Sequence, residues 1–384
     1  MIRIYNPSHD MVLAEPRRAS FTPHKLIQKF EKDLALLPVW YSLPGDKIIS
    51  GQVYDADFER DIQQLLSVSL SDVLVSGGGK FRFSEFLPWG LNEAVVRSLT
   101  EFSHNDLEVV EKVRELSHRR TTIPFLSEMK ANGLYKFGNL PVELSSVEDV
   151  FNGGSEEVVV KAPYSSSGRG VMFVTRDLPD GHAFRKRVQS VLGQMGSVLV
   201  EQKFDKVVDF AMEFELRNGK FSFAGYSLFE TSNGAYTGNF LASNEVLRSR
   251  LLQFVGAREL DTAIRVCEDM LCRMVGPNLG VQAVGVDMMI VNVGGKMELH
   301  PCVEVNLRMT MGFVARIFFD RYVREDLSGK MEVIRHKSVE ESRSFDRKMR
   351  ELNPLVIKNN RIESGYVRLT CGEEFNVYAV IHNS

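Results

Sequence analysis

Cysteine is scarce in this chain, four residues among 384, and none of the four stands in a CxxC pair or in zinc register with histidine. A disulfide framework and a structural zinc site are therefore excluded as organising devices. Cys267 and Cys272 fall in a helical pattern, where core packing is the expected role, and Cys302 is a bystander beside the stretch singled out below. No apolar run approaches the length of a membrane span, and the opening MIRIYNPSHD enters a strand at once without a signal-peptide or presequence pattern. A cytoplasmic protein with no membrane partner is expected. The formal net charge is only −3, which supplies no field to attract nucleic acid. Two nucleotide motifs are also missing. The run Ser76-Gly77-Gly78-Gly79-Lys80 is followed by Phe81 where a Walker loop needs Ser or Thr, and the first strand does not lead into GxGxxG. No Ser-His-Asp or Cys-His set points to a covalent nucleophile, and there is neither repeat nor low-complexity segment.

What remains is a chain long enough for two to three domains with full cores. Up to about His118, apolar runs at IRIY, PVWY and DVLVS alternate with helical patterns at HKLIQKFEKDLALL and FERDIQQLLSV. That is the rhythm of an open parallel α/β sheet, in which ligands sit beyond the carboxyl ends of the strands. Two such ends are candidates. Residues 6–10 contain His9 and Asp10, an acid–base pair or a helix cap, and residues 77–80 carry three glycines, for which a simple turn is the favoured reading.

The most informative stretch runs from Gly285 to Gly312, GVDMMIVNVGGKMELHPCVEVNLRMTMG. It reads as two strands joined at Gly294-Gly295. Strand alternation sends Val303, Val305 and Leu307 to one face and Glu304, Asn306 and Arg308 to the other, with Asp287 one strand away. Hard cations such as Mg²⁺ take one or two carboxylates together with substrate phosphates, which Asp287, Glu304 and Asn306 can provide. The planar fork of Arg308 suits a phosphoryl group or an anionic substrate. The plain alternative is a solvated strand face with an incidental ion pair.

A second motif lies upstream in EEVVVKAPYSSSGRGVMFVT. The strand ends at Lys161, and Ser165, Ser166, Ser167, Gly168, Arg169 and Gly170 form a loop of small residues whose N–H and hydroxyl groups can converge on phosphate oxygens. Any exposed hairpin can look like this. A lysine in the middle of an apolar strand is the sharper signal, because its charge is costly there unless an anion meets it. Glu201 closes the next apolar run, SVLVEQ, where it can accept a hydrogen bond from a base amino group. The Lys203 backbone offers edge contacts, and Asp209 lies within reach of a ribose; for each, a surface role on a strand is the alternative. A hairpin is expected at Asn218-Gly219, then a polar loop ETSNGAYTGNFLASNE with Tyr236, a helical stretch broken near Gly256, and after Gly312 a helix, a charged helix or loop at KSVEESRSFDRKMREL, and two strands near GYVRLT and EFNVYAVIH.

Four elements in order, VVVKAPYSSSGRGV, VLVEQKF, VGVDMMIV and VEVNLRMTMG, resemble the ATP-grasp superfamily over roughly residues 105–312. The resemblance implies an α/β plus α+β chain: an open parallel α/β domain at 1–118, a small grasp subdomain at 119–200, and a large one at 201–384 with a C-terminal extension. It implies ATP and Mg²⁺ as cofactors. Lys161 contacts the nucleotide, residues 165–170 close over its phosphates, Glu201 and the Lys203 backbone hold the adenine, and Asp209 the ribose. Asp287, Glu304 and Asn306 match the Mg²⁺ ligands, and Arg308 matches an arginine near the γ-phosphate. Where many members carry an Asp-Lys pair, this chain reads Ser117-His118-Arg119-Arg120, so Arg119 or Arg120 must supply the charge. The first strand also lacks the glycine-rich substrate loop of several purine-pathway members, which argues against their substrates. The implied reaction is ADP-forming ligation, in which a small carboxylate is activated as an acyl-phosphate and joined to an amine. A kinase on the same fold and a non-catalytic ATP-binding regulator are the alternatives. Dimers are common among members, so a homodimer is compatible with the resemblance.

Overall fold

The computed structural model describes residues 1–15, 21–152, 157–165, 168–175, 181–232 and 235–382. Its N-terminal sheet is all parallel, in the order Leu74–Val75, Lys47–Ile49, Ile2–Ile4, Phe86–Pro88. Between the second and third strands in sequence runs the helix Ala56–Leu66, which shows why such a segment folds as it does. Phe58, Asp61, Ile62 and Leu65 recur at helical spacing and are buried, the Asp55 carboxylate caps the N–H of Phe58 at 2.9 Å, and Ser67 in the left-handed region ends the helix.

One expectation fails in this unit, and two strands go unread. PVWY is not a strand: Leu37–Trp40 forms a buried 3₁₀ turn with Pro38 at its start, where the missing N–H costs nothing. The strands that the sequence reading passed over are Lys47–Ile49 and Phe86–Pro88. The second tolerates Pro88 because it lies on the sheet edge. Trp40 also joins distant parts of the chain, since its indole N–H donates to the Leu369 carbonyl at 2.7 Å and its ring meets Phe318 and Tyr322 edge-on. The apolar cluster around it runs without a break from the N-terminal sheet into the helix Met311–Tyr322 and the C-terminal strands.

The second layer is a four-stranded antiparallel sheet in the order Val142–Leu144, Val198–Gln202, Glu157–Lys161, Val171–Thr175. Val158, Val160, Met172, Val174, Val198 and Val200 form one face, packed under the helices Val147–Phe151 and Gly181–Met195. The strand period of two then sends Val159, Lys161, Leu199 and Glu201 to the opposite face.

Nine antiparallel strands follow, in the order Lys296–Asn306, Ala283–Val293, Asp205–Arg217, Lys220–Ser232, Ala235–Leu241, Ser328–Arg335, Phe375–His382, Arg361–Arg368, Val356–Lys358. Its first hairpins turn as expected, Asn218-Gly219 with φ 50° and 78° and Gly294-Gly295 with φ 59° and 86°. Gly256 separates the helices Asn244–Leu251 and Ala257–Met274, as read from the sequence. The second of these buries Leu260, Ala263, Cys267 and Leu271 in a core shared with Met212, Val284, Val286 and Val305. Cys272, expected in the core, is exposed. The stretch around Tyr236, expected as a loop, is the strand Ala235–Leu241. Together the sheets make the chain α/β plus α+β, as expected. Among the described residues no helix is long and apolar enough to cross a membrane.

Candidate functional site

The hairpin of Ala283–Val293 and Lys296–Asn306 sets Asp287 directly opposite Glu304 and Gly285 opposite Asn306. The Asn306 amide N–H donates to Asp287 at 3.2 Å. Burial raises the Asp287 carboxyl above its ordinary range, the facing Glu304 charge raises it further, and Arg308 and Asn306 oppose both. Two facing carboxylates with restricted access to water hold an electrostatic cost that a cation would relieve. Among the described residues no three His, Cys, Asp or Glu side chains form a metal cage. Two carboxylates and an amide oxygen fit Mg²⁺ that takes its remaining ligands from water and phosphate.

Three cations surround this pair. Arg119 is 5% exposed and spans Glu304, Nη2 at 3.0 Å from both carboxylate oxygens and Nε at 3.2 Å from one. Arg120 instead points outward toward Glu143 at 3.8 Å, with half its side chain exposed. Arg308 grips Asp10, Nε at 3.1 Å and Nη2 at 3.0 Å, which draws the start of the helix His9–Ala14 into the site. Lys161 is buried in an ion pair with Glu201 and lies 3.4 Å from the Val303 carbonyl. The strand pairing explains that contact, since Leu199 faces Lys161 and Val159 faces Glu201, leaving the two charges diagonal on one sheet face.

The phosphate-loop expectation divides. Ser166 and Ser167 lie outside the described residues. Ser165 is in the site, and Gly170 packs so closely that a Cβ there would meet the Ser165 Oγ at 2.3 Å. Gly168 takes φ 71°, its carbonyl accepts from the N–H of Val171 at 3.1 Å, and the exposed Arg169 offers its carbonyl to Arg187 at 3.0 Å. Arg119 Nη1 and Ser165 Oγ are both buried without a hydrogen-bond partner among the described residues. Lys203 is more exposed, its ammonium on Glu157 at 2.9 Å and its N–H on the Glu157 carbonyl at 3.3 Å. Asp209 is held by Lys206 and by the Thr231 hydroxyl at 3.2 Å.

Other second-substrate candidates separate. Residues 77–80 form an exposed loop whose Lys80 reaches the Ser98 carbonyl at 2.8 Å, so they stay out of the site and the turn reading holds. His9 is the first residue of the helix His9–Ala14. It is buried, with its ring 3.3 Å from Asn92, and burial lowers its pKa to about 4. Asp10 supplies the ion pair to Arg308, and His9 lines the same cleft beside it. The register of the hairpin shifts between Asp287 and Met289, so alternation does not run unbroken from Glu304 to His300. His300 is packed, edge-on to Tyr135, Phe137 and Phe204, and burial with the Lys161 charge lowers its pKa to about 3.

Sequence reading missed Glu213. It is 1% exposed, it sits opposite Gly285, and both its oxygens are 3.0 Å from the Thr310 hydroxyl. Thr310 in turn caps the helix Met311–Tyr322 through the Phe313 N–H at 2.9 Å. A Cβ at Gly312 would strike Glu213 at 2.3 Å, so this glycine makes room for the carboxyl. Burial pushes its pKa up to about 8, with the Asp287 charge adding to the rise. The signal was present in DFAMEFEL, where a carboxylate shares strand parity with Asp209 inside an apolar run.

No family model matches the sequence, and no curated protein is similar to it. Among solved structures the chain is similar to N5-carboxyaminoimidazole synthetase from Staphylococcus aureus complexed with ADP, at 9% identity over 100% of this chain and 93% of that one, with a TM-score of 0.46. It is also similar to N5-carboxyaminoimidazole synthase from Aspergillus clavatus in complex with ADP and 5-aminoimidazole ribonucleotide, at 12% identity over 91% of each chain, TM-score 0.47. A third likeness is to L-amino acid ligase from Bacillus licheniformis, at 13% identity over 78% of this chain and 75% of that one, TM-score 0.43. At identities and scores this low, these likenesses assign neither family nor activity to the chain.

Proposed function

We propose that this chain is an ATP-grasp enzyme, an ADP-forming ligase that activates a small carboxylate with Mg-ATP and joins it to an amine. The observation that carries the reading is the pair of donors, Arg119 Nη1 and Ser165 Oγ, buried without partners among the described residues beside the facing carboxylates Asp287 and Glu304. Buried donors without acceptors are costly, and an anion removes the cost. A cation does the same for the carboxylates, so the site asks for both together.

Asp287, Glu304 and Asn306 are the groups that would hold Mg²⁺. Arg119, Lys161, Ser165 and the backbone around Gly168, Arg169 and Gly170 would hold the phosphates, Ser166 and Ser167 completing the loop. Glu201 and the Lys203 backbone would take the base, with Phe204 and Tyr135 as an aromatic wall, and Asp209 the ribose. Mg-ATP supplies the transferable phosphoryl group and the divalent charge. The chain's own contribution is positioning and charge neutralisation, with Lys161 and Arg308 facing the charge that spreads during transfer. The carboxylate oxygen attacks the γ-phosphorus as the bond to ADP breaks, and the amine then displaces phosphate from the acyl-phosphate. Arg308, braced by Asp10, would hold the carboxylate substrate, and Tyr236 and Asn239 would border the acceptor. The same reading divides the chain at 118 and 200, the second boundary falling inside the strand Val198–Gln202, just before the large sheet begins at Asp205, and includes a cytoplasmic location and a homodimer.

The test is ADP and phosphate release with Mg-ATP across mixtures of carboxylates and amines, with mass spectrometry of the products. Release that needs both partners, with a product equal to their sum less water, supports the ligase. A phosphorylated acceptor as the released product would make it a kinase and overturn ligation.

A further inference from the structure

A cation and the Arg119 guanidinium compete for one side chain, Glu304. Glu304 is a proposed Mg²⁺ ligand, yet both of its oxygens are occupied by Arg119, and the pair is largely shielded from water, with side-chain exposures of 23% and 4%. A guanidinium spanning a carboxylate is the strongest common form of charge-assisted hydrogen bond, and it repels a divalent cation arriving at the same oxygens. Arg119 also has a donor to spare, because Nη1 is buried with no partner among the described residues. The main chain at Arg119 is pinned on both sides of the peptide unit. Its N–H donates to the Pro163 carbonyl at 3.1 Å and its carbonyl accepts from the Thr122 hydroxyl at 2.8 Å, so any change of partner falls to the side chain. Of the guanidinium nitrogens, Nε and Nη2 hold Glu304, Nη2 also lies 3.5 Å from the Ser165 carbonyl, and Nη1 is the one left to meet an anion.

We propose that Arg119 is a guanidinium latch that masks Glu304 until a polyphosphate anion draws it away, so that the cation site opens only when the nucleotide is present. The inference rests on the nucleotide reading above and adds to it the order of assembly. Without anion, Arg119 neutralises Glu304 and a divalent cation meets one free carboxylate, Asp287. With a nucleotide bound, the phosphates compete for the guanidinium, Glu304 is released, and the cation gains its second carboxylate. Binding linkage makes the effect reciprocal, since whatever the nucleotide adds to cation affinity the cation adds to nucleotide affinity. The latch also accounts for arginine rather than lysine here. A planar fork can hold a carboxylate with two nitrogens while a third stays free, which a single ammonium cannot do with the same geometry.

The experiment uses Mn²⁺ alone and ADP alone as probes on the full chain. Free Mn²⁺ is followed by electron paramagnetic resonance without nucleotide, and ADP binding by calorimetry in EDTA. Arg119→Gln should bind Mn²⁺ roughly tenfold more tightly than wild type and ADP roughly tenfold more weakly, a coupling of ordinary allosteric size. Opposite signs are the signature, because damage to the fold weakens both. Arg119→Lys, which keeps charge but loses the fork, should fall between wild type and the glutamine variant for Mn²⁺. Equal Mn²⁺ affinity in wild type and Arg119→Gln, or weaker binding of both probes, overturns the latch. If ADP binds neither protein while the Mn²⁺ gain remains, it is the nucleotide reading that fails and the masking of Glu304 that survives.

Discussion

The two antiparallel sheets contribute charges to the site in different ways. On the four-stranded sheet, Lys161 and Glu201 sit on adjacent strands and satisfy each other across a local pairing. On the nine-stranded sheet Glu304, and Arg308 just beyond its strand, are partnered with segments far away in sequence. Arg119 reaches Glu304 across 185 residues, and Asp10 reaches Arg308 across 298. The first half is a grip that one sheet can form by itself, whereas the second is complete only once Arg119 and the N-terminal Asp10 have packed against the large sheet. The difference teaches that binding and turnover in this site should respond to different parts of the chain.

Breaking the long-range half should have the largest effect. Glu304→Ala removes a carboxylate from the facing pair, and where ADP release is established it should cut turnover by roughly 10²- to 10³-fold while circular dichroism stays native. Unchanged turnover would remove Glu304 from the reaction. Breaking the local half should be milder and of another kind. Lys161→Ala should weaken ATP binding by about 10- to 100-fold, the worth of one charge-assisted hydrogen bond, while the rate at saturating ATP falls much less. A calorimetric titration with unchanged affinity would contradict that role. A loss of maximal rate as large as that of Glu304→Ala would erase the distinction between the halves.

The smallest effect concerns how the distant anchor is held. His9 precedes Asp10 and packs against Gly90, and burial lowers its pKa from 6.5 to about 4, with Asp10 raising it and Arg308 lowering it. The unfolded chain therefore binds more protons than the folded one between these values. Stability from a neutral His9 is present in full above the unfolded pKa and is lost as pH falls toward the folded one. Between about pH 7 and about pH 5 this one group should cost roughly 2 kcal/mol of unfolding free energy. His9→Gln should show a shallower loss over that interval in urea titrations than wild type, whereas parallel curves would mean that His9 is charged in the fold.

How much of this was legible in the sequence follows the same division. Asp287, Glu304 and Asn306 were legible because a two-residue turn and strand alternation are local rules, and the hairpin obeys them up to its register shift. Lys161 and Glu201 were legible as unusual charges in apolar runs, though not as each other's partner. The choice between Arg119 and Arg120 was not legible, because adjacent residues in a 3₁₀ turn are separated by direction, and only the packed structure shows which one faces inward. Glu213 was passed over, and Asp10 was read only as a partner of His9, for a related reason, since their contacts with Thr310 and Arg308 are ones that no spacing encodes. Two local misreadings have local causes. The β-prone residues of PVWY follow a proline that starts a 3₁₀ turn, and the Gly, Asn and Thr of Ala235–Leu241 look like a loop although they form an inner strand of the large sheet.

The central claim is that one site binds a nucleotide and a divalent cation together, through the large sheet's carboxylates. The most direct measurement is a calorimetric titration of ADP into the full chain with and without Mg²⁺, repeated with Glu304→Gln. The account predicts ADP binding that Mg²⁺ strengthens in the wild type and leaves nearly unchanged in the variant. Absence of ADP binding, or a Mg²⁺ enhancement equal in both proteins, would contradict it.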